Sequence, residues 1–500
     1  MVQRNSQNYI VLFVSAITIF LLFSFLRWHF LLGLTRYFDV DEYAYLHWAY
    51  QIFSGQKPYT DFFLYVPPGY QWFLAPLFWL GRGTAPLLAA RVQAFLVFAG
   101  LAAAVGLLFW LVRRSWLALL AAALLPFLPL PFDKFLEIRP DTLAALLVVI
   151  GIIWQICWMR TGNRKRAWLA GMFYGLSLIV LPKSVPAVGV GLLVGLIWWL
   201  EERKNGLLAF AGGLAVPLIL FGLWTLTLGN PGRVYYSLFR LPFEVNEISR
   251  IFYMGPDLFF YPNSIFYGAG GWPVQLIVNH ALWVTGILIG ILSLLAPYLT
   301  ASKAQKTGVY EEVLIAGIFI VQIVYYVLWS PLKHAQYLIP IAVWVAFYAA
   351  DGWNFFWQWA RGTAGKSYLF VFVFLLLAAG LYKSNILAEK PKLSMNNQEA
   401  LATISEIQAK IPSNEFLLDL DGRTIYYPGP YYVCCLPFGQ YAPYLTRPLP
   451  SLSEALEKTK TRYIWQGEPD RLTTLAAGDQ EYIAAHYANV KEIQGLLVRD

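Results

Sequence analysis

The chain has 500 residues, 58% of them hydrophobic and only 13% charged, with a formal net charge of +8. With a mean hydropathy of +0.53, this composition excludes an ordinary water-soluble globule, and recurring apolar runs of spanning length make the chain a polytopic membrane protein. The basic balance comes without any nucleic-acid-binding module, and its bases are scattered among loops. Anionic headgroups or an anionic lipid substrate are therefore the partners it implies.

In chain order, apolar length and periodicity predict eleven membrane helices, near 10–34, 86–112, 116–130, 142–159, 167–182, 184–200, 207–228, 273–298, 313–330, 336–350 and 367–382. The first is expected to be retained, because no lysine-rich start precedes it and no small-residue cleavage site follows. Twenty tryptophans and 31 tyrosines suit interface belts near helix ends. The basic loops "VRRS" at 112–115, "RTGNRKR" at 160–166, "EERK" at 201–204 and "SKAQK" at 302–306, with Arg361 and Lys366, fall on one side. The positive-inside rule makes that side cytoplasmic. The long loops 35–85 and 229–272 and the C-terminal region are then extracytoplasmic, and the protein is expected in the inner (plasma) membrane as a multi-pass chain.

From about Asn385 the composition becomes that of a soluble domain. Residues 396–410 and "SLSEALEKTK" at 451–460 read as helices, while "EFLLDL", "TIYY" and "RYIWQG" read as short strands. The predicted architecture is an all-α polytopic core over 1–384 with a small extracytoplasmic α/β domain over 385–500. Cys157, Cys434 and Cys435 define no disulfide framework.

The chemistry concentrates in the first long loop. "YFDVDEYAYLHWAYQIFSGQKPYTDFFLYVPPGY", Tyr37–Tyr70, carries Asp39, Asp41, Glu42 and Asp61. A short helix begins there with Asp39 or Asp41 as its cap, and puts Asp41, Tyr45 and Trp48 on one face. The following "YQWFLAPLFWLG" is too short to span at about twelve residues, and belongs in the interface. A cap accounts for one carboxylate but not for three together at a membrane surface, where such groups face water, a partner or a metal. A carboxylate placed there can act as general base on a hydroxyl. Bases from distant segments reach the same depth: Lys134 and Arg139 in "DKFLEIRPD", Lys183, Arg233, Arg240 and Arg250, and Lys333 beside His334 and Tyr337 in "SPLKHAQYLIP". Singly, each reads as headgroup contact or snorkelling; as a set facing an acidic loop they suit a phosphate or diphosphate on a lipid. There is no P-loop and no strand-linked GxGxxG, so the donor is expected to arrive already attached to lipid. The five histidines show no ligand spacing. A divalent ion, if one takes part, would sit on Asp41 or Glu42.

On these residues the chain resembles the integral-membrane glycosyltransferases of the GT-C class, in particular the set related to protein O-mannosyltransferases, lipid A aminoarabinose transferases and Rgt-type glycosyltransferases. The matching pieces are Asp41-Glu42, the Gly55/Pro58/Tyr59/Asp61/Phe62/Phe63 segment, Pro67-Pro68-Gly69, Arg91, and "RPDTLA" at 139–144. The resemblance covers about 1–382 in layout. It implies a polyprenyl- or dolichyl-phosphate sugar donor, transfer with inversion to an acceptor hydroxyl on the outer face, and two membrane-parallel helices in the first loop. Asp41 resembles the catalytic carboxylate, and Glu42 the neighbour that shapes the site or binds a metal. Lys183, Arg139 and Lys333 fall where members place bases near the lipid phosphate. Many relatives carry Lys where this chain has Val66, which leaves Tyr65 or a remote base such as Arg240 to substitute. Asp39, Asp61, Tyr45, His334 and Tyr337 complete the expected site on its acceptor side. The acceptor would be a glycan, lipid or protein, and the enzyme a monomer among membrane lipids, with no nucleic acid involved. The alternative is a lipid-linked glycan flippase or polymerase, which should show charge at mid-helix and duplicated halves. The aromatic-rich "TIYYPGPYYVCCLPFGQYAPYL" reads either as a cap contacting the acceptor or as the core of its own domain.

Overall fold

The computed structural model describes residues 2–128, 134–202, 205–249, 274–300, 306–330, 334–433, 445–447, 449–467, 469–473, 475–490 and 493–499. Among them, nine helices are long and apolar enough to cross a membrane. All eleven expected segments are helical, but two fall short of that length. Ala118–Phe127 has 10 residues and closes on Pro126. Arg164–Val180 has 17 residues, and three of its first-turn positions are taken by "RKR".

In chain order the elements that position the site are α1 (Val2–Thr35), α2 (Val40–Phe53), α3 (Gly69–Leu74), α4 (Ala85–Arg113), α5 (Ala118–Phe127), α6 (Pro140–Thr161), α7 (Arg164–Val180), α8 (Val185–Glu202), α9 (Leu207–Leu226), α10 (Lys306–Val324), α11 (Ile339–Ala360), α12 (Ala364–Glu389) and α13 (Gln398–Lys410). Small residues set how closely the membrane helices pack, because lipid supplies no hydrophobic drive between them. A Cβ on Gly171 of α7 would run into the Phe210 carbonyl, and one on Gly213 of α9 into the Trp168 carbonyl, so these two backbones lie in direct contact. The polar groups buried between helices are matched. Tyr174 donates to Gln155 Oε1 at 2.7 Å, and Gln155 Nε2 donates to the Gly191 carbonyl at 2.8 Å.

The C-terminal region carries a four-stranded sheet in the order β1-β2-β4-β3: β1 (Leu417–Leu418), β2 (Tyr463–Trp465), β3 (Tyr487–Asn489) and β4 (Leu496–Arg499). β1 and β2 run parallel, and the other pairs are antiparallel. The expected helices form as Gln398–Lys410 and, capped by Ser451, as Leu452–Thr459. "TIYY" is not a strand. Its polar groups go to the first loop instead. The Ile425 carbonyl accepts from His47 Nδ1 at 2.8 Å, the Tyr426 carbonyl accepts from Arg82 Nη2 at 3.1 Å, and the Tyr426 hydroxyl bonds the Gly83 carbonyl. Tyr43, Leu46 and Phe78 of the first loop share one hydrophobic core with Ile404, Tyr426 and Tyr427. Cys434 and Cys435 lie outside the described residues.

Candidate active site

The acidic start of α2 divides its carboxylates among separate tasks. Asp39 is the N-cap: its Oδ1 accepts the Asp41 N–H at 3.0 Å, while Glu42 Oε2 reaches back to the Asp39 N–H at 2.8 Å, closing a capping box. Glu42 is fully buried. Its Oε2 also accepts from Arg91 Nη2 at 2.6 Å, and its Oε1 accepts the Ile138 N–H at 2.7 Å. Arg91 in turn donates to the carbonyls of Gly33 (2.7 Å) and Tyr37 (2.9 Å), so one guanidinium sews α1, α2 and α4 together. Burial pushes the Glu42 carboxyl upward, against the pull of Arg91. Breaking such a pair from one side costs about 3–5 kcal/mol.

Asp41 is left over from these tasks. Its side chain is 37% exposed, and its Oδ2 accepts from Arg139 Nη1 at 2.7 Å. Arg139, at the N-cap of α6, also contacts Glu137 at 3.2 Å and Asp141 at 3.6 Å. Glu137 is the hub behind them, touching Arg36 at 3.2 Å and Lys134 at 2.8 Å as well. Lys134 bridges on to Asp39 at 3.2 Å. Burial alone would raise the Asp39 carboxyl; Lys134 and Arg139 outweigh it and hold Asp39 at about 2.

The rest of the loop builds the rim. Tyr59 is fully buried at φ +66, its N–H bonded to the Phe62 carbonyl (2.9 Å) and its hydroxyl to the Val66 carbonyl (2.7 Å). Gly69 opens α3 against the end of α7, where a Cβ would come within 2.6 Å of the Ile179 carbonyl oxygen. The Pro67-Pro68-Gly69 turn thus seats α3 on a neighbouring helix. Tyr45 and Tyr65 stand near Asp41 and Arg139. Burial is the main cause that raises both phenols, with Asp41 adding to it.

Beside this cluster a groove runs between α6, α8, α10 and α11. Asp141 and Lys183 lie at its polar end; Ala145, Val148 and Ile341 give it apolar walls. Deeper in, Trp344 Nε1 donates to Gln322 Oε1 at 2.7 Å, which removes two polar groups from the lining's demands. Tyr325 opens a π-helical turn, Tyr325–Trp329, that continues α10 along the groove. The Lys183 ammonium sits 3.6 Å over the Tyr337 ring, and His334 stacks edge-on to Tyr337 at 5.9 Å. Burial lowers the His334 imidazole, and Lys183 lowers it further, against Asp41.

The structure therefore joins Asp39, Asp41 and Arg139 in one ion-pair network through Lys134 and Glu137, ties Glu42 to it by the capping box, and sets Tyr45 and Tyr65 beside it. It gathers Lys183, His334 and Tyr337 at the groove. Asp61 and Arg240 are placed elsewhere. Asp61 accepts the Lys57 N–H at 2.7 Å and closes its own turn. Arg240 pairs with Glu244 at 3.0 Å, one helical turn on, and is 62% exposed. Lys333 lies outside the described residues. Sequence reasoning missed Arg36, which gives no local signal, because its partner Glu137 is 101 residues away. A divalent ion on Glu42 does not fit this arrangement, because both its oxygens already accept protein N–H groups. Asp41 carries a guanidinium on one oxygen, and among the described residues no group of three or more His, Cys, Asp or Glu could hold a metal.

Comparison with solved structures gives three informative likenesses. The apo ArnT from Cupriavidus metallidurans superposes with a TM-score of 0.52 at 15% identity, covering 95% of this chain and 96% of that one. The same protein bound to undecaprenyl phosphate gives 0.51 at 16%, covering 92% and 88%. The Archaeoglobus fulgidus oligosaccharyltransferase tethered to an acceptor peptide gives 0.52 at 13%, covering 93% and 72%. This chain has the GT-C fold. At such identities the likeness speaks for the fold. No family model matches the chain, and no curated protein does.

Proposed function

We propose that the protein is an inverting glycosyltransferase that moves a sugar from a polyprenyl-phosphate donor to an acceptor hydroxyl, on the extracytoplasmic face of the plasma membrane. In this reading residues 1–384 form the catalytic membrane core and 385–500 an extracytoplasmic domain. One observation carries the reading: Asp41, the accessible carboxylate of the α2 cluster, stands beside an apolar groove whose polar end holds Lys183. His334 and Tyr65 each lie in the field of both Asp41 and a groove residue. The GT-C fold adds support, since one protein sharing it was solved with undecaprenyl phosphate bound.

The phosphate meets Lys183 and the first part of the lipid tail enters the groove, which holds about 40 Å³ as it stands and widens to admit the chain. Arg139 is a second phosphate ligand, and it currently holds Asp41 at 2.7 Å. A phosphate arriving there draws the guanidinium toward itself through forked, charge-assisted hydrogen bonds. Asp41 is thereby released as a base when the donor is in place. The acceptor oxygen bonds to the anomeric carbon as its proton passes to Asp41, and the bond from that carbon to the phosphate oxygen breaks. Polyprenyl phosphate leaves as a stable anion, stabilised by the two bases without needing a proton. Glu42 and Asp39 position this apparatus: one locks α2 to Arg91, the other caps it.

The test is transfer of radiolabelled sugar from a panel of polyprenyl-phosphate sugars by the purified protein. Turnover is expected with at least one donor, and a loss of at least ~10²-fold in Asp41→Asn. Near-normal turnover in Asp41→Asn would remove that residue from the chemistry.

A further inference from the structure

A second cavity, of about 860 Å³, opens between the start of α2, helix α13 and the C-terminal sheet. That size is in the range of small-molecule sites. It lies apart from the groove and shares no lining residue with it. Tyr43 lines it, two residues on from Asp41 and so on the opposite side of α2. Phe38 is the partition: it lines the cavity and also carries the Arg91 guanidinium 4.5 Å from its ring.

The lining has a specific chemistry. Tyr37 and Trp465 offer aromatic rings, and the Tyr43 ring, itself buried, also forms part of the wall. Around them stand the exposed side chains of Glu399, Glu406, Asn489 and Gln494. Aromatic rings bordered by amides that donate and accept, and by carboxylates that accept, match the alternating C–H faces and hydroxyls of sugars. The charge of the lining argues against an anionic ligand. Among the described lining residues the one base, Arg423, is outnumbered by Glu399 and Glu406, and it already contacts Asp421 at 3.6 Å and the Gly467 carbonyl at 3.4 Å.

We infer that this cleft binds a neutral oligosaccharide. Resting on the glycosyltransferase reading, the ligand is the part of a glycan acceptor remote from the attacked hydroxyl. Contacts there press on Phe38, and so on the Arg91–Glu42 pair that fixes the catalytic helix.

The test is calorimetric titration of the full-length, detergent-solubilised protein with maltotriose, mannotriose, xylotriose and chitotriose, and with a sulfated disaccharide. It needs no turnover, so it can fail while the transferase reading stands. At least one neutral trisaccharide is expected to saturate. Trp465→Leu should weaken it at least ~10-fold, about 1.4 kcal/mol. Ala402→Trp, which fills the cleft from an exposed helix position without removing packing, should do the same. Asp41→Asn should bind as the wild type does. The inference is overturned if no trisaccharide saturates, if only the sulfated sugar binds, if Ala402→Trp binds normally, or if Asp41→Asn abolishes binding.

Discussion

Helix α4 carries an arginine network at each end, and the two are built differently. Arg91 and Arg113 are 22 residues apart, about 33 Å along a helix. At the far end Arg113 bonds Glu312 at 2.6 Å and Asp351 at 2.8 Å, tying α4 to α10 and α11. Tyr348 donates to Glu312 at 3.0 Å, and Arg160 grips both oxygens of Glu311 at 2.6 Å. These three carboxylates each join one membrane helix to another, and they are shielded, at 11%, 1% and 5% exposure. At the near end Glu42 and Glu137 are equally shielded, but Asp41 is 37% exposed, and its partner Arg139 also contacts Asp141, which lines the groove. On the proposed reading the difference separates bracing from chemistry: a buried pair fixes geometry, while a partly exposed carboxylate with one partner among the described residues can change partners.

The two ends should differ most at Asp41. Asp41→Asn should cost at least ~10²-fold in turnover while the thermal transition stays within a few degrees of wild type. A shift as large as that of a bracing residue would put Asp41 in the other class. Next come the braces. Arg91→Met and Arg113→Met should each destabilise by about 3–5 kcal/mol, read as melting in detergent, because each strands a buried carboxylate. The folded Arg113→Met protein should keep its turnover, while Arg91→Met should lose it. Lys183→Gln should raise the donor KM by about 10–100-fold, the loss of one charged hydrogen bond, with kcat nearly unchanged.

The smallest effects concern pH. Asp39 is held at about 2, below its ordinary 3.8. Its contribution to stability is therefore complete above the ordinary carboxylate range and is lost as pH falls toward 2; Asp39→Asn should flatten that acid limb. His334 is depressed below 6.5, so it is neutral at neutral pH. His334→Gln should leave the pH–rate profile above pH 7 unchanged. A new titration there would show that His334 carries a working proton.

The sequence displays some of this and hides the rest for physical reasons. Long apolar helices are legible because length and composition alone define them. Asp41-Glu42 is legible because an acidic pair near lipid needs an explanation, although nothing local tells the accessible member from the buried one. Arg91, 49 residues further along the chain in α4, decides that. Asp61 and Arg240 look like site residues in a list of charges, yet their partners are four residues away, the Lys57 N–H and Glu244, and local spacing could have disclosed both. "TIYY" has the composition of a strand, and its departure follows from His47 and Arg82, which compete for its carbonyls from more than 300 residues away. The groove is likewise non-local, assembled from four helices.

The most direct measurement is a structure of the protein with a polyprenyl phosphate bound. The phosphate is expected within about 3 Å of both Lys183 and Arg139, with the tail between α6 and α11 and Arg139 drawn off Asp41. A phosphate bound elsewhere, or one bound while the Asp41–Arg139 pair stays closed, would contradict the proposed mechanism.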